Sequence, residues 1–97
     1  MMSTKNERIR DVLADENPEA ICYDGMDEAL IGIYRGDLAR QNMQERSIAV
    51  YSYVKFIEVY IKRDGMSEEE AIEFFDYNVA GGYIGKYQPL IIDDTGV

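Results

Sequence analysis

The sequence predicts an α+β domain in which a small antiparallel sheet of three to four strands packs against two main helices. Short apolar runs bounded by glycine, proline or aspartate are typical of strands, and residues 20–23 and 89–93 have this pattern. Residues 52–63 and 67–79 instead repeat their apolar side chains at helical spacing. A chain of 97 residues, 46% of them hydrophobic, is sufficient for one domain with a modest core.

Residues 1–97 are expected to form a single domain whose amino-terminal end is the least ordered part. Residues 1–10 are mostly polar and are predicted to fray, because terminal residues with few apolar contacts are poorly held. The overlapping segment ERIRDVLA is predicted to form a short helix whose apolar contacts are Ile9, Val12 and Leu13.

The predicted strands are separated by turn signals. Residues 20–23 and 29–34 flank an Asp-Gly dipeptide at 24–25, which tolerates the positive φ angles of tight turns. Because the run at 29–34 begins a few residues after the Asp-Gly dipeptide, a longer connection or a bulge is as well supported as a two-residue hairpin. Residues 34–46 are polar and predicted to be irregular, with at most a helical turn. The alternation in residues 47–52 predicts a third strand.

The helix predicted at residues 52–63 is expected to be the more buried of the two. Lys55, Glu58 and Lys62 fall at i, i+3 and i+7 and form one solvated stripe, while apolar side chains cover most of the remaining circumference. Gly65 is predicted to end this helix, because glycine readily adopts the left-handed conformation found at helix carboxyl ends.

The second helix begins inside DGMSEEEAIEFFDYN, which carries six carboxylates and neither lysine nor arginine. Ser67 and Glu70 match a capping box, and acidic residues in a first turn interact favourably with the helix dipole. The apolar face is predicted to consist of Ala71, Phe74, Phe75 and Val79. Glu69, Glu73 and Asp76 project from the other side, and they exceed what helix capping requires.

Charge is segregated along the chain, whose formal net charge is −9 from 10 basic and 19 acidic residues. Residues 1–34 contribute −5, residues 35–63 contribute +3 and residues 64–97 contribute −7. This balance argues against direct nucleic-acid binding, because duplex affinity comes largely from lysine and arginine that neutralise phosphates. It argues equally against an anionic membrane surface. Basic proteins, cations and nucleic-acid-binding proteins with an open groove are the remaining classes of partner.

Cys22 is the single cysteine, so no internal disulfide forms and a reducing compartment is predicted. A buried structural thiol within a strand is the favoured interpretation, because its neighbours are acidic rather than electropositive. No signal peptide or bilayer-spanning segment is recognised in the sequence. The protein is therefore predicted to be soluble and cytoplasmic.

Two motifs, DGMDEALIG (24–32) and DGMSEEEAIEFFDYNVAGGYIG (64–85), resemble a family of small acidic proteins found in bacteria and their phages. The resemblance covers roughly residues 20–92. In that family a strand-like AVYxY segment leads into a helix, followed by a DGMSxEEA helix and an NVxGxYxG turn. Its members usually have no assigned function. The resemblance thus implies a phage or prophage setting and transfers no catalytic residue.

No catalytic residue, cofactor or enzyme class is predicted. The sequence contains no histidine, which excludes histidine-based triads and metal sites. Asp24, Asp27 and Glu28 carry the oxygen ligands that Mg²⁺ and Ca²⁺ prefer, although their spacing does not match the twelve-residue calcium loop. Turn chemistry and solvation are the favoured interpretation of these acids, and a divalent-cation site is the alternative.

Three glycines, Gly81, Gly82 and Gly85, follow the second predicted helix. Phosphate-binding loops precede a helix and use its amino terminus, so these glycines are predicted to end the helix and turn the chain. Asn78 is predicted to hold this turn through a side-chain hydrogen bond.

The predicted partner-binding residues are Glu69, Glu73, Asp76, Tyr83 and Tyr87. Helical side chains at i, i+3 and i+4 lie about 5–6 Å apart, a spacing comparable to that of successive phosphates on a nucleic-acid strand. Tyr83 and Tyr87 flank the glycine-rich turn, where tyrosine rings suit a protein interface. Half-buried packing against a strand is an equally supported interpretation of both tyrosines.

The leading hypothesis is a non-enzymatic, phage-type interaction protein that binds and inhibits a host protein with a basic surface. Its acidic row would imitate nucleic-acid phosphates and associate in a salt-sensitive way. An acidic face that only keeps the protein in solution is the simpler alternative. The other hypotheses are a small-ligand or divalent-cation binding module and a structural homo-oligomer, in its simplest form a homo-dimer.

Overall fold

The protein has the predicted α+β fold, as seen in a computed structural model that describes residues 5–37, 40–79 and 82–96. Within these residues the chain forms three α-helices and one sheet of three strands. In chain order the elements are α1 (Lys5–Glu16), a 3-10 turn (Asp27–Ala29), β1 (Leu30–Asp37), β2 (Asn42–Ser52), α2 (Tyr53–Asp64), α3 (Glu68–Asn78) and β3 (Leu90–Ile92). None of the described helices is both long enough and apolar enough to cross a membrane.

The sheet is mostly antiparallel and has the strand order β1-β2-β3. β1 and β2 pair in antiparallel directions, whereas β3 joins the other side of β2 in the parallel direction. Two helices lie between β2 and β3 in the chain, and such a crossover returns the backbone in its original direction. β3 is therefore the exception to the antiparallel pairing that the sequence predicts.

Residues 20–23, predicted as a strand, lie outside the sheet. The Ile21 N–H donates to the Tyr87 carbonyl (3.1 Å), and the Tyr23 N–H donates to the Tyr51 hydroxyl (2.8 Å). These partners are far apart in sequence and do not form a ladder. The apolar run is therefore a packed connection, and the strand prediction at this position is wrong.

Residues 34–46, predicted to be irregular, instead contain the end of β1 and the start of β2. The pairing joins Tyr34 to Ile48 and Gly36 to Met43, with a shift in register between the two pairs. Backbone hydrogen bonds hold such a hairpin whether its side chains are polar or apolar. Residues 38 and 39 lie outside the described residues.

α2 and α3 begin and end within one residue of their predicted bounds. Gly65 ends α2 in the left-handed conformation, with a φ of 68°. The predicted capping box is present: the Glu70 N–H donates to the Ser67 hydroxyl (3.2 Å), and the Ser67 N–H donates to the Glu70 carboxylate (3.0 Å). Gly81, predicted to end α3, lies outside the described residues.

α2 is the more buried of these two helices, as predicted. It buries four side chains, those of Phe56, Ile57, Val59 and Tyr60. α3 buries only Ala71 and Phe75. Phe74, predicted on the apolar face of α3, is 42% exposed. The contact surface of α3 is therefore narrower than its sequence indicates, and an aromatic ring is left at the surface.

α1 is held against the sheet by polar contacts near both ends. Asn6 donates to the first carbonyl of β1 (2.7 Å). Glu16 accepts from the Arg35 Nε of β1 (2.7 Å) and from the Ser47 hydroxyl of β2 (2.6 Å), which lowers the pKa of Glu16 to about 2. Of the segment predicted to fray, residues 1–4 lie outside the described residues and the remainder forms the first turns of α1.

Aromatic side chains meet at Phe56 in the centre of the core. The Phe56 ring packs edge-to-face, at centroid separations of 5.3–5.9 Å, against Tyr23, Tyr51, Tyr60 and Phe75. Such pairs stabilise a core beyond the area that they bury. Through these rings Phe56 connects β2, α2, α3 and the connection that precedes the 3-10 turn.

We expect Phe56→Ala to lower the free energy of unfolding by about 3–5 kcal/mol, because the substitution leaves a cavity among the neighbouring rings. The control is Tyr77→Ala, since Tyr77 is 91% exposed. A surface substitution of that kind should change the free energy by less than about 0.5 kcal/mol. Urea denaturation followed by circular dichroism measures both changes. Similar losses in the two variants would contradict the central position of Phe56.

β2 continues into α2 without a loop, and Ser52 lies at the junction. Ser52 is fully buried, and its hydroxyl accepts from the Lys55 N–H (3.1 Å) as the N-cap of α2. The same hydroxyl donates to the Asp94 carboxylate (2.5 Å), whose other oxygen accepts from the Val54 N–H (3.0 Å). Two N–H groups in the first turn of α2 are thereby paired, and the segment after β3 is tied to the junction.

We expect Asp94→Ala to lower the free energy of unfolding at neutral pH by about 1–2 kcal/mol, because the Val54 N–H and the buried Ser52 hydroxyl lose an acceptor. The hydrogen bond from Ser52, and then that from Val54, hold the pKa of Asp94 below its ordinary value. This stabilisation is therefore complete above the unfolded-state pKa of about 3.9 and is lost as the pH falls through the folded-state pKa. Urea denaturation across that pH range measures it.

Asp93→Ala is the matched control for Asp94→Ala, because the Asp93 carboxylate accepts only from Thr95 among the described residues. The loss in the control should be clearly smaller. Two results would contradict the stabilising role of the Asp94 hydrogen bonds. One is an equal loss of unfolding free energy in both variants, and the other is a loss in Asp94→Ala that stays constant in acid.

Candidate functional site

Three exposed carboxylates, Glu69, Glu73 and Asp76, run along the outer side of α3 and are called the α3 stripe. Their spacing of i, i+4 and i+7 puts them on one side of the helix, away from the buried Ala71 and Phe75. Among the described residues, none of the three carboxylates forms a salt bridge or a side-chain hydrogen bond. The α3 stripe is therefore open to a binding partner.

Two partly or fully exposed aromatic side chains, Phe74 and Tyr77, flank the α3 stripe. The Phe74 ring packs edge-to-face on Tyr60 at a centroid separation of 5.0 Å, which fixes its position. Phe74 and Tyr77 line a shallow depression of about 380 Å³ together with Glu73. The sequence prediction omitted Tyr77, although its position four residues after Glu73 places it on the outer side of the helix.

A groove of about 550 Å³ lies between α3 and the segments on either side of β3, and it is called the tyrosine groove. Its lining includes Tyr53 at the start of α2, Phe75 and Asp76 on α3, and Tyr83 and Asp93 near β3. Asp76 and Tyr83 are both predicted partner-binding residues, and Tyr83 is 76% exposed. The structure thus brings part of the predicted site together around one groove.

Negative charges act on Tyr53 in the tyrosine groove. Burial raises the pKa of the Tyr53 phenol, and the charges on Asp76, Asp93 and Glu68 raise it further. The Tyr53 ring also packs edge-to-face on Phe75 at a centroid separation of 4.9 Å. Carboxylates from α3 and from the segment after β3 therefore act on the same aromatic side chain.

Tyr87, the other predicted tyrosine, is not among the residues that line the tyrosine groove. It is half-buried, and its ring centroid lies 5.8 Å from the Arg46 guanidinium carbon and 5.3 Å from the Lys86 Nζ. Its carbonyl accepts from the Ile21 N–H. These contacts give Tyr87 a packing role through cation–π interactions and a backbone bond.

The acidic residues considered as cation ligands, Asp24, Asp27 and Glu28, are not gathered into a site. Both Asp27 oxygens accept from the Arg10 Nη1, at 2.8 and 3.1 Å, and the pair ties the 3-10 turn to α1. In the part of the chain that the structure describes, no group of three or more His, Cys, Asp or Glu side chains is arranged to hold a metal ion.

Asn78 and Cys22 lie outside both surfaces of interest, the α3 stripe and the tyrosine groove. The Asn78 side-chain amide donates to the Phe74 carbonyl (2.9 Å), so the hydrogen bond predicted for Asn78 lies within the last turn of α3. Cys22 is half-buried and outside the sheet, next to the hydroxyl of Tyr51. It is therefore not the fully buried strand thiol that the sequence predicts.

Comparisons with protein-family models, with curated proteins and with solved structures give no match for this chain. The α3 stripe and the tyrosine groove are therefore interpreted from their own geometry. Aromatic side chains are enriched at protein interfaces, and clustered charge steers association. The surface around α3 combines both features.

We expect Asp76→Asn to lower the pKa of Tyr53, because one of the negative charges that disfavour the phenolate is removed. Glu69→Gln is the matched control, since Glu69 is not among the charges that act on Tyr53. Titration of ¹³C-labelled tyrosine followed by NMR measures the change at Tyr53. An equal change in both variants would show that Asp76 does not face the tyrosine groove.

Proposed function

We propose that this protein is a non-enzymatic interaction protein that binds a host-cell protein through the surface around α3 and inhibits it. The target class is a nucleic-acid-binding protein with a groove lined by lysine and arginine. The observation that carries the proposal is the α3 stripe, a row of carboxylates that the fold displays outward and that no cation pairs with in the described part of the chain.

The geometry of the α3 stripe supports imitation of a phosphate backbone. Neighbouring carboxylates on one helix face lie about 5–6 Å apart, a spacing comparable to that of successive phosphates. A helix anchored to the core by Ala71 and Phe75 holds these charges in a fixed row. A preorganised row loses less conformational entropy on binding than charges on a flexible loop.

Electrostatics supports the same class of partner. The net charge of −9 and the exposed row on α3 favour fast, salt-sensitive association with a basic surface. Exposed Tyr77 and Phe74 beside the row supply apolar contact area, which charge alone does not provide. The phage setting in this proposal rests on the resemblance of the DGM motifs to small acidic phage and bacterial proteins.

We expect Glu69→Lys/Glu73→Lys/Asp76→Lys to abolish capture of the host protein, because the row of negative charges is reversed. The experiment is an affinity pull-down from host lysate at low and high salt, followed by mass spectrometry. Capture by the unchanged protein should weaken at high salt. Circular dichroism checks that the variant is folded.

The matched control reverses three exposed carboxylates elsewhere, Asp11→Lys/Asp15→Lys/Glu58→Lys, and changes the net charge by the same amount. The control should retain capture of the same protein. Equal loss in the two triple variants would show that only overall charge matters. Unchanged capture by the α3 variant would reject this surface as the binding site.

A further inference from the structure

The tyrosine groove has a composition that the α3 stripe lacks, because its carboxylates are combined with aromatic walls. Tyr53, Phe75 and Tyr83 contribute rings, and Asp76 and Asp93 contribute the charges. These five residues come from α2, from α3 and from the segments on both sides of β3. A volume of about 550 Å³ accommodates a long side chain together with part of its backbone.

The charge of the tyrosine groove is uncompensated by its own lining. Neither lysine nor arginine is present among the residues that line it. Among the residues that the structure describes, Asp76 forms no salt bridge and Asp93 accepts hydrogen bonds only from Thr95. Hydrogen bonds from Thr95 lower the pKa of Asp93 and keep its carboxylate charged, while the charge on the neighbouring Asp94 acts in the opposite direction. A positively charged occupant would remove this repulsion.

The aromatic walls distinguish between classes of cation. Divalent metal ions require several oxygen ligands at short distances. No suitable group of three acidic side chains exists among the residues that the structure describes. A guanidinium group suits the lining better, because its planar face stacks on aromatic rings while its N–H groups donate to carboxylates. A lysine ammonium is a compact charge that lacks the planar face.

We propose that the tyrosine groove accepts an arginine side chain of the partner protein, with the guanidinium between the rings of Tyr53 and Tyr83 and bonded to Asp76 and Asp93. This inference deepens the proposed function and rests on it, because it names the contact that adds specificity to a charge-driven encounter. The α3 stripe attracts the basic surface, and the groove selects one arginine on it. Asp76 belongs to both features and links them.

The test uses NMR titration of the full chain with three capped amino acids: N-acetyl-arginine N-methylamide and its citrulline and lysine analogues. Citrulline has nearly the shape of arginine but no charge. The arginine compound should cause saturable shifts at Tyr53, Phe75 and Tyr83, and citrulline should not. Equal shifts from citrulline, equal affinity for lysine, or no shift at the groove would each overturn the proposal.

Asp76→Asn/Asp93→Asn should weaken binding of the arginine compound by about fivefold or more, because charge-assisted hydrogen bonds become neutral ones. Asp11→Asn/Asp15→Asn removes the same number of charges from the exposed side of α1 and leaves the lining intact, so it should bind the compound as the unchanged protein does. Equal weakening in both variants would reject the groove as the site.

The two proposals fail in different ways. Arginine binding in the tyrosine groove, combined with unchanged host-protein capture by the α3 charge-reversal variant, would reject the proposed function and leave the groove as a site for arginine compounds only. Loss of capture by that variant, combined with equal binding of arginine and citrulline, would keep the proposed function and reject the groove.

Discussion

The hydrogen bonds around Ser52 and Asp94 are the contacts on which the rest of the structure depends. They lie where β2 becomes α2, and they attach the residue that follows β3 to the same point. Because no loop separates strand from helix, the direction of α2 is set by this buried cap. α2 in turn carries Phe56, around which the other aromatic rings pack, and Tyr53, which lines the tyrosine groove. These three hydrogen bonds thus position both the core and a candidate binding site.

The acidic side chains fall into two groups with different physical roles. Glu16 is paired with Arg35 and Ser47, Glu70 completes the capping box of α3, and Asp94 accepts from the first turn of α2. These carboxylates hold helices in place, and hydrogen bonds lower their pKa values. The α3 stripe has no such internal partners among the described residues. Its charge is therefore the part of the acidity that the fold itself does not use, and a partner with a basic surface would use it.

How much the sequence predicts depends on how local each interaction is. The bounds of α2 and α3 are predicted well, because Ser67, Glu70 and Gly65 act within a few residues of the helix ends that they define. The α3 stripe follows from helical spacing alone and is also predicted. Residues 20–23 have the composition of a strand, but their N–H groups pair with distant residues that the sequence does not identify. The tyrosine groove escapes prediction for the same reason, since its walls come from segments that are far apart in the sequence.

By itself, the sequence determined the α+β class, the positions of two helices, and the outward row of acids on α3. Each of these depends on side chains within a turn or two of one another, whose geometry the helix repeat specifies. Only the tertiary structure decided the parallel direction of β3, the hydrogen bonds of Asp94 to the start of α2, and the meeting of Asp76 with Asp93 around Tyr53. Those contacts join residues separated by 17 positions or more, and long-range pairing is set by how the whole core packs.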